Sequence, residues 1–223
     1  MPQIVRSGLR EARQEQRLDG QRADALHPLR LYPQRLRVTA VTARPDGNGY
    51  GWYMSGPTPI ETLEAEHRVI EKAVAEMTAA ADRIESAGQT GPEPIETLIE
   101  FLREFADRRH HGKEEQLLFP ALERRGVPSQ GCPLGGLTME HQRGRAMVGD
   151  LAGNVRAWRD GDPGAPSLVA ANLRALAAFY TNHIWKEDNL LFPLAAKVLT
   201  PADQAELAEK FEGSDAICPI TST

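Results

Sequence analysis

Four stretches of this chain set their apolar residues at alternating steps of three and four. That spacing lays one stripe along an α-helix and demands other helices to cover it. The first stripe runs Ile60, Leu63, His67, Ile70, Val74, Met77, Ala81, Ile84. The second carries Leu98, Phe101 and Phe105, then His111, Glu115, Leu118 and Leu122, with Arg108 where a clean stripe wants an apolar residue. The third reads Leu137, His141, Gly144, Val148, Leu151, Val155, Trp158, and the fourth Leu173, Leu176, Tyr180, His183, Glu187, Leu190, Leu194. Gly144 costs a helix about 1 kcal/mol and leaves room for another helix or a small ligand.

Punctuation agrees with four long helices. Thr58-Pro59-Ile60-Glu61 combines an N-cap, a first-turn proline and a capping-box glutamate. Gly88 and Gly91-Pro92 close the first helix, and the second starts near Pro94. Pro120 kinks or restarts its last turn, and Gly126 ends it. Gly161-Asp-Pro-Gly separates the third helix from the fourth, and Thr200-Pro201 opens a short fifth helix to about Phe211. The loops suit an all-α, up-down-up-down four-helix bundle over residues 54–223.

Residues 1–53 differ. They hold nine arginines, no lysine and five acids, against a net charge of −5 for the whole chain. With no sustained periodicity, this extension reads as disordered or loosely structured, as a basic arm, or as an over-extended reading frame ahead of Met54. The overall acidic balance argues against a broad nucleic-acid surface. No apolar run is long enough to span a membrane and no secretory signal is visible. Cys132 and Cys218 form no disulfide framework, so a cytoplasmic location is expected.

The stripes are polar at six places: His67, His111, Glu115, His141, His183 and Glu187. In His111-x3-Glu115 and His183-x3-Glu187 both side chains project from one helix face. Each pair runs on into Leu-Leu-Phe-Pro, and each has a histidine upstream, 44 residues away for His67 and 42 for His141. The chain therefore reads as two helical hairpins feeding one interior. Imidazoles and carboxylates there need partners, and cations are the economical ones. Six ligands exceed one tetrahedral zinc, whereas a mixed set suits iron or manganese, with Glu115 and Glu187 bridging two ions. His67 and His111 would serve one ion and His141 and His183 the other, or the pairs are crossed.

Around this set, His110 reads as surface or as a hydrogen-bonding neighbour of the ligands, with metal binding the alternative. Glu114 and Asp188 read as solvated, with Asp188 the alternative to Glu187. Tyr180 reads as core, or as a donor beside the metals or a ligand, and Arg145 as a nearby cation or a surface residue. A ferritin-like oxidase is disfavoured, because that site uses a Glu-x-x-His from each of two helices and this chain has that order only at Glu64-x-x-His67.

The pattern His67, His111-x3-Glu115, His141, His183-x3-Glu187, with the Phe-Pro closures, resembles the hemerythrin-like or HHE cation-binding domain over about residues 57–200. The resemblance implies a four-helix bundle around two non-haem iron ions, oxo- or hydroxo-bridged when oxidised, in a monomer or homodimer. It implies a partner such as O2, NO or peroxide, in stress response or sensing. A catalase-like or peroxidase-like enzyme and an iron store are the alternatives. Oxygen-carrying hemerythrins have a second histidine one turn after the helix-3 histidine. Arg145 stands there in this chain, so one iron should lack a nitrogen and reversible oxygen storage is disfavoured.

Overall fold

A computed structural model describes residues 56–87 and 91–217; the expectations for residues 1–53, for Gly88 and for Cys218 lie outside them. Helix α1 is Pro59–Ala87. Its cap is reciprocal: the Glu61 backbone N–H donates to Thr58 Oγ1 at 3.2 Å, and the Thr58 N–H donates to Glu61 Oε2 at 2.7 Å. Helix α2 occupies residues 93–124, α3 is Leu134–Arg159, α4 occupies residues 165–198, and α5 is Pro201–Ile217. The first four pack as the expected antiparallel bundle. Helix α5 runs six residues beyond the expected Phe211. Helices α2 and α3 each end at a left-handed glycine, Gly126 (φ 87°) and Gly161 (φ 91°), where a side chain would be strained.

Two of the helices are not regular. Helix α2 is α-helical over Glu93–Phe101, π-helical over Leu102–His111 and again over Glu114–Leu118, then α-helical over Phe119–Arg124. Helix α4 is α-helical over Ala165–Lys186, π-helical over Glu187–Leu191 and α-helical again over Phe192–Val198. Each Leu-Leu-Phe-Pro closure explains its π turn. Pro120 and Pro193 have no N–H to give the carbonyl four residues back. The preceding Phe119 and Phe192 N–H groups reach five residues back instead, to Glu114 and Glu187.

A π turn takes in one residue more than an α turn, so the buried face moves along the sequence. That shift corrects three expectations. Leu190, expected on the stripe, is 56% exposed, and Leu191 is fully buried in its place. His110 and Glu114, read as surface or solvated, are buried at 1% and 0% exposure.

The apolar interior is split in two. One core joins Ile70, Met77, Phe101, Phe105, Leu151, Leu173 and Tyr180 with their neighbours. The other joins Leu63, Leu118, Phe119, Leu137, Leu191 and Phe192 with Leu207 and Phe211 of α5. Between them lies a buried polar layer of His67, His110, His111, Glu114, His141, His183 and Glu187. The room at Gly144 is taken by α4: a Cβ there would stand 3.0 Å from Phe179, whose ring stacks on His183.

Candidate metal centre

The polar layer resolves into two groups of side chains whose donor atoms converge. One is His111, His141 and His183; the other is His67, His110, Glu114 and Glu187. Of the six residues expected to meet in the interior, His67, His111, His141, His183 and Glu187 fall in these groups. Glu115 does not. It points to the side, where Arg145 holds it at 3.0 Å. Its neighbour Glu114 takes the interior position, and His110 joins it. The His-x3-Glu register that faces inward on α2 is therefore 110/114.

The cause is the widened helix. In α4 the stretch up to Lys186 is regular, so His183 and Glu187 share a face and His183 Nε2 lies 3.2 Å from Glu187 Oε1. In α2 the π-helical stretch through His111 brings His110 and His111 inward together, one into each group. The sequence holds a signal for this register. Glu114 and Glu187 each precede their Phe-Pro by five residues, and His110 and His183 precede it by nine. Alignment on the Phe-Pro closures pairs these residues and leaves His111 as the extra imidazole, opposite the buried Ile184.

The five histidines of the layer are oriented alike. Each has its Nδ1 on a carboxylate at the edge of the layer: His67 on Asp188 (2.6 Å), His110 on Glu66 (3.1 Å), His111 on Asp107 (3.3 Å), His141 on Glu115 (2.7 Å) and His183 on Glu140 (3.1 Å). A carboxylate accepts, so Nδ1 carries the proton and the Nε2 lone pair is turned inward, as metal-binding histidines require. The carboxylates are held in turn: Glu66 by Lys113 and Arg109, Glu140 by Lys186, Asp188 by Arg68, and both Asp107 and Glu115 by Arg145. Two expectations resolve here, since Asp188 supports His67 from the side while Glu187 lies inside, and Arg145 is the cation behind two histidines. Tyr180 is buried, its ring 6.5 Å from that of His111.

Inside the layer the hydrogen bonding is nearly absent, with His141 Nε2 and Glu187 Oε1 meeting at 3.4 Å. His67 Nε2, His110 Nε2, His111 Nε2, His183 Nε2, both oxygens of Glu114 and Glu187 Oε2 are buried without an acceptable hydrogen bond. Orphaned donors and acceptors at this density are costly unless a cation satisfies them. The donor set fits one: five nitrogens and two carboxylates, all aimed inward. The carboxylates also straddle the two groups. Glu187 Oε2 lies 3.1 Å from His67 Nε2, while its Oε1 lies within 3.4 Å of the Nε2 atoms of both His141 and His183. Glu114 Oε2 lies between His110 Nε2 (3.8 Å) and His141 Nε2 (3.4 Å).

The electrostatics show the same tension. Burial pushes Glu114 well above the usual carboxylate range, and the neighbouring Glu187 charge adds to this. Burial also opposes the charge on Glu187, but His183, His141 and His67 outweigh it and hold that carboxyl well below its ordinary value. Burial lowers His110 to about 4 and His111 to about 3, which keeps both imidazoles neutral. His67 resists burial and is raised to about 10 by Asp188 and Glu187, so a proton and a cation compete for its Nε2.

Comparison with known proteins agrees with this geometry. The profile of the Hemerythrin HHE cation binding domain matches residues 58–195. Uncharacterised proteins of Mycobacterium bovis and of two strains of Mycobacterium tuberculosis are each 25% identical to the chain over 158 residues, which is 71% of this chain and 61% of theirs. The chain thus spans about three-fifths of the length of the curated relatives it matches.

Proposed function

The chain belongs to the hemerythrin HHE cation-binding family, and from that membership and the buried layer we propose that it holds two iron ions and binds O2, NO or peroxide, in a stress-response or sensing role. The observation that carries this is the pair of buried carboxylates, Glu114 and Glu187, each reaching histidines of both groups. His111, His141 and His183 would hold one ion and His67 and His110 the other, with Glu114 and Glu187 shared. Bound iron would supply redox-active cations to which a small ligand could coordinate.

The chain's own residues do the rest. Asp188, Glu66, Asp107, Glu115 and Glu140 keep each Nδ1 protonated and each Nε2 free to donate its lone pair. Two carboxylates offset part of the charge of two cations, and the apolar cores on either side limit water. On this reading His111 of α2 would supply the imidazole that Arg145 displaces from α3, and the group around His141 would offer three nitrogens. The nitrogen deficit expected from Arg145 would then not arise.

The test is spectroscopic. Protein isolated aerobically from iron-replete medium should show near-ultraviolet charge-transfer absorption that changes when NO or peroxide is added, and Glu187→Gln should lose it. A colourless protein with no response would reject the proposal. Steady oxygen evolution from peroxide would place turnover, rather than binding alone, at this centre.

A further inference from the structure

A cavity of about 260 Å³ opens between α2 and α3 and ends on the polar layer. Its floor is formed by Leu102, Val148 and Tyr180, each at most 5% exposed. His111 is the residue of the layer that faces it. Asp107 and Arg145 line its flank and pair with each other at 2.8 Å, so their charges cancel there. Arg103 and the exposed Gly149 form the rim. A second hollow of about 320 Å³, lined by Glu96, Ile99, Ala152 and Arg156, shares Arg103 and continues the seam along the bundle.

The floor is mostly apolar and the Arg145–Asp107 charges on the flank are paired, which leaves Arg103 as a charged group at the rim, and the cavity is large enough for several water-sized molecules. Resting on the di-iron reading above, we propose that this cavity is the port by which small uncharged molecules reach the centre, passing Gly149 and arriving at His111 and Tyr180. The absent side chain at position 149 keeps the rim open. A Cβ built there meets nothing within 4 Å, so a side chain can be installed without a clash.

That geometry makes the port pluggable. In a Cys132→Ser, Cys218→Ser background, Gly149→Cys is alkylated with N-benzylmaleimide, and Leu168→Cys, exposed near the start of α4 and outside the lining of both hollows, serves as the control. Iron content and NO association with the reduced protein are measured before and after labelling. Labelling at 149 should slow association by about tenfold or more, with iron retained, and labelling at 168 should not. Equal rates before and after labelling at 149 would overturn the port. A second readout does not depend on iron: crystals under xenon pressure should show xenon against Leu102, Val148 and Tyr180. Absence of xenon there would overturn the port even if iron is present. Xenon bound in a chain that takes up no iron would keep the port while rejecting the di-iron reading.

Discussion

His110 and His111 are neighbours in the chain, yet their imidazoles join different groups, with ring centroids 5.7 Å apart. The consequence at residue scale is a division of labour between Glu114 and Glu115. Glu114 is inside the layer and should act on the metals directly; Glu115 accepts from His141 Nδ1 and is held by Arg145. Glu114→Gln should therefore remove most of the iron, whereas Glu115→Gln should keep its stoichiometry at saturation while weakening affinity by roughly 10–100-fold, the usual effect of losing a partner behind a ligand. Iron titration followed by absorbance separates the two; equal loss in both variants would contradict this assignment. His111 makes a second case. His111→Ala should lower iron content, and adding Arg145→His, one turn after His141, should restore part of it by returning the imidazole from α3. No recovery in the double variant would mean that position 145 cannot reach the centre.

The helices were legible in the chain to different degrees. The seams of α1 and α3, the glycine end of α3 and the Thr58 cap follow directly from periodicity and propensity, because both helices are regular. Helix α2 did not follow so simply. Its stripe breaks at Arg108, and an α-helical count past that point selects His111 and Glu115 as the inward pair. With the π turns the inward pair is 110/114, and the cue lies in the Phe-Pro closures, whose missing N–H breaks the α-helical hydrogen-bond ladder. Pro120→Ala returns an N–H to the Gln116 carbonyl. It should favour a regular turn and lower iron occupancy without loss of helical circular dichroism, whereas unchanged occupancy would contradict the role given to the proline. At α5, Thr200 and Asp203 cap each other and Arg125 grips the Asp203 carboxylate at 2.7 Å. Arg125 first, then Thr200, holds that carboxyl well below the usual carboxylate range. A depressed folded value means stability present above the unfolded value and lost as pH falls through the folded one. Asp203→Ala should thus cost about 1 kcal/mol at neutral pH, and the gap between variant and parent should narrow below about pH 4. Thermal melts across pH check this; a constant gap would refute it.

As a whole, the molecule stacks two apolar cores around a layer that neither can cover. Helix α5 closes one end, where Lys113 of α2 lies 5.5 Å from the Phe211 ring and pairs with Glu66 behind His110. No described helix is long and apolar enough to cross a membrane. Because the polar layer is continuous with both cores, cations there should stabilise the entire bundle and not a loop. Stripping iron with a chelator under reducing conditions should lower Tm by several degrees, with a single transition kept. The most direct measurement is the metal content of the purified chain by plasma mass spectrometry, against protein concentration from amino-acid analysis. The two straddling carboxylates and five inward-facing imidazoles predict close to two irons per chain. One zinc per chain, or no metal after iron-replete expression, would contradict the account.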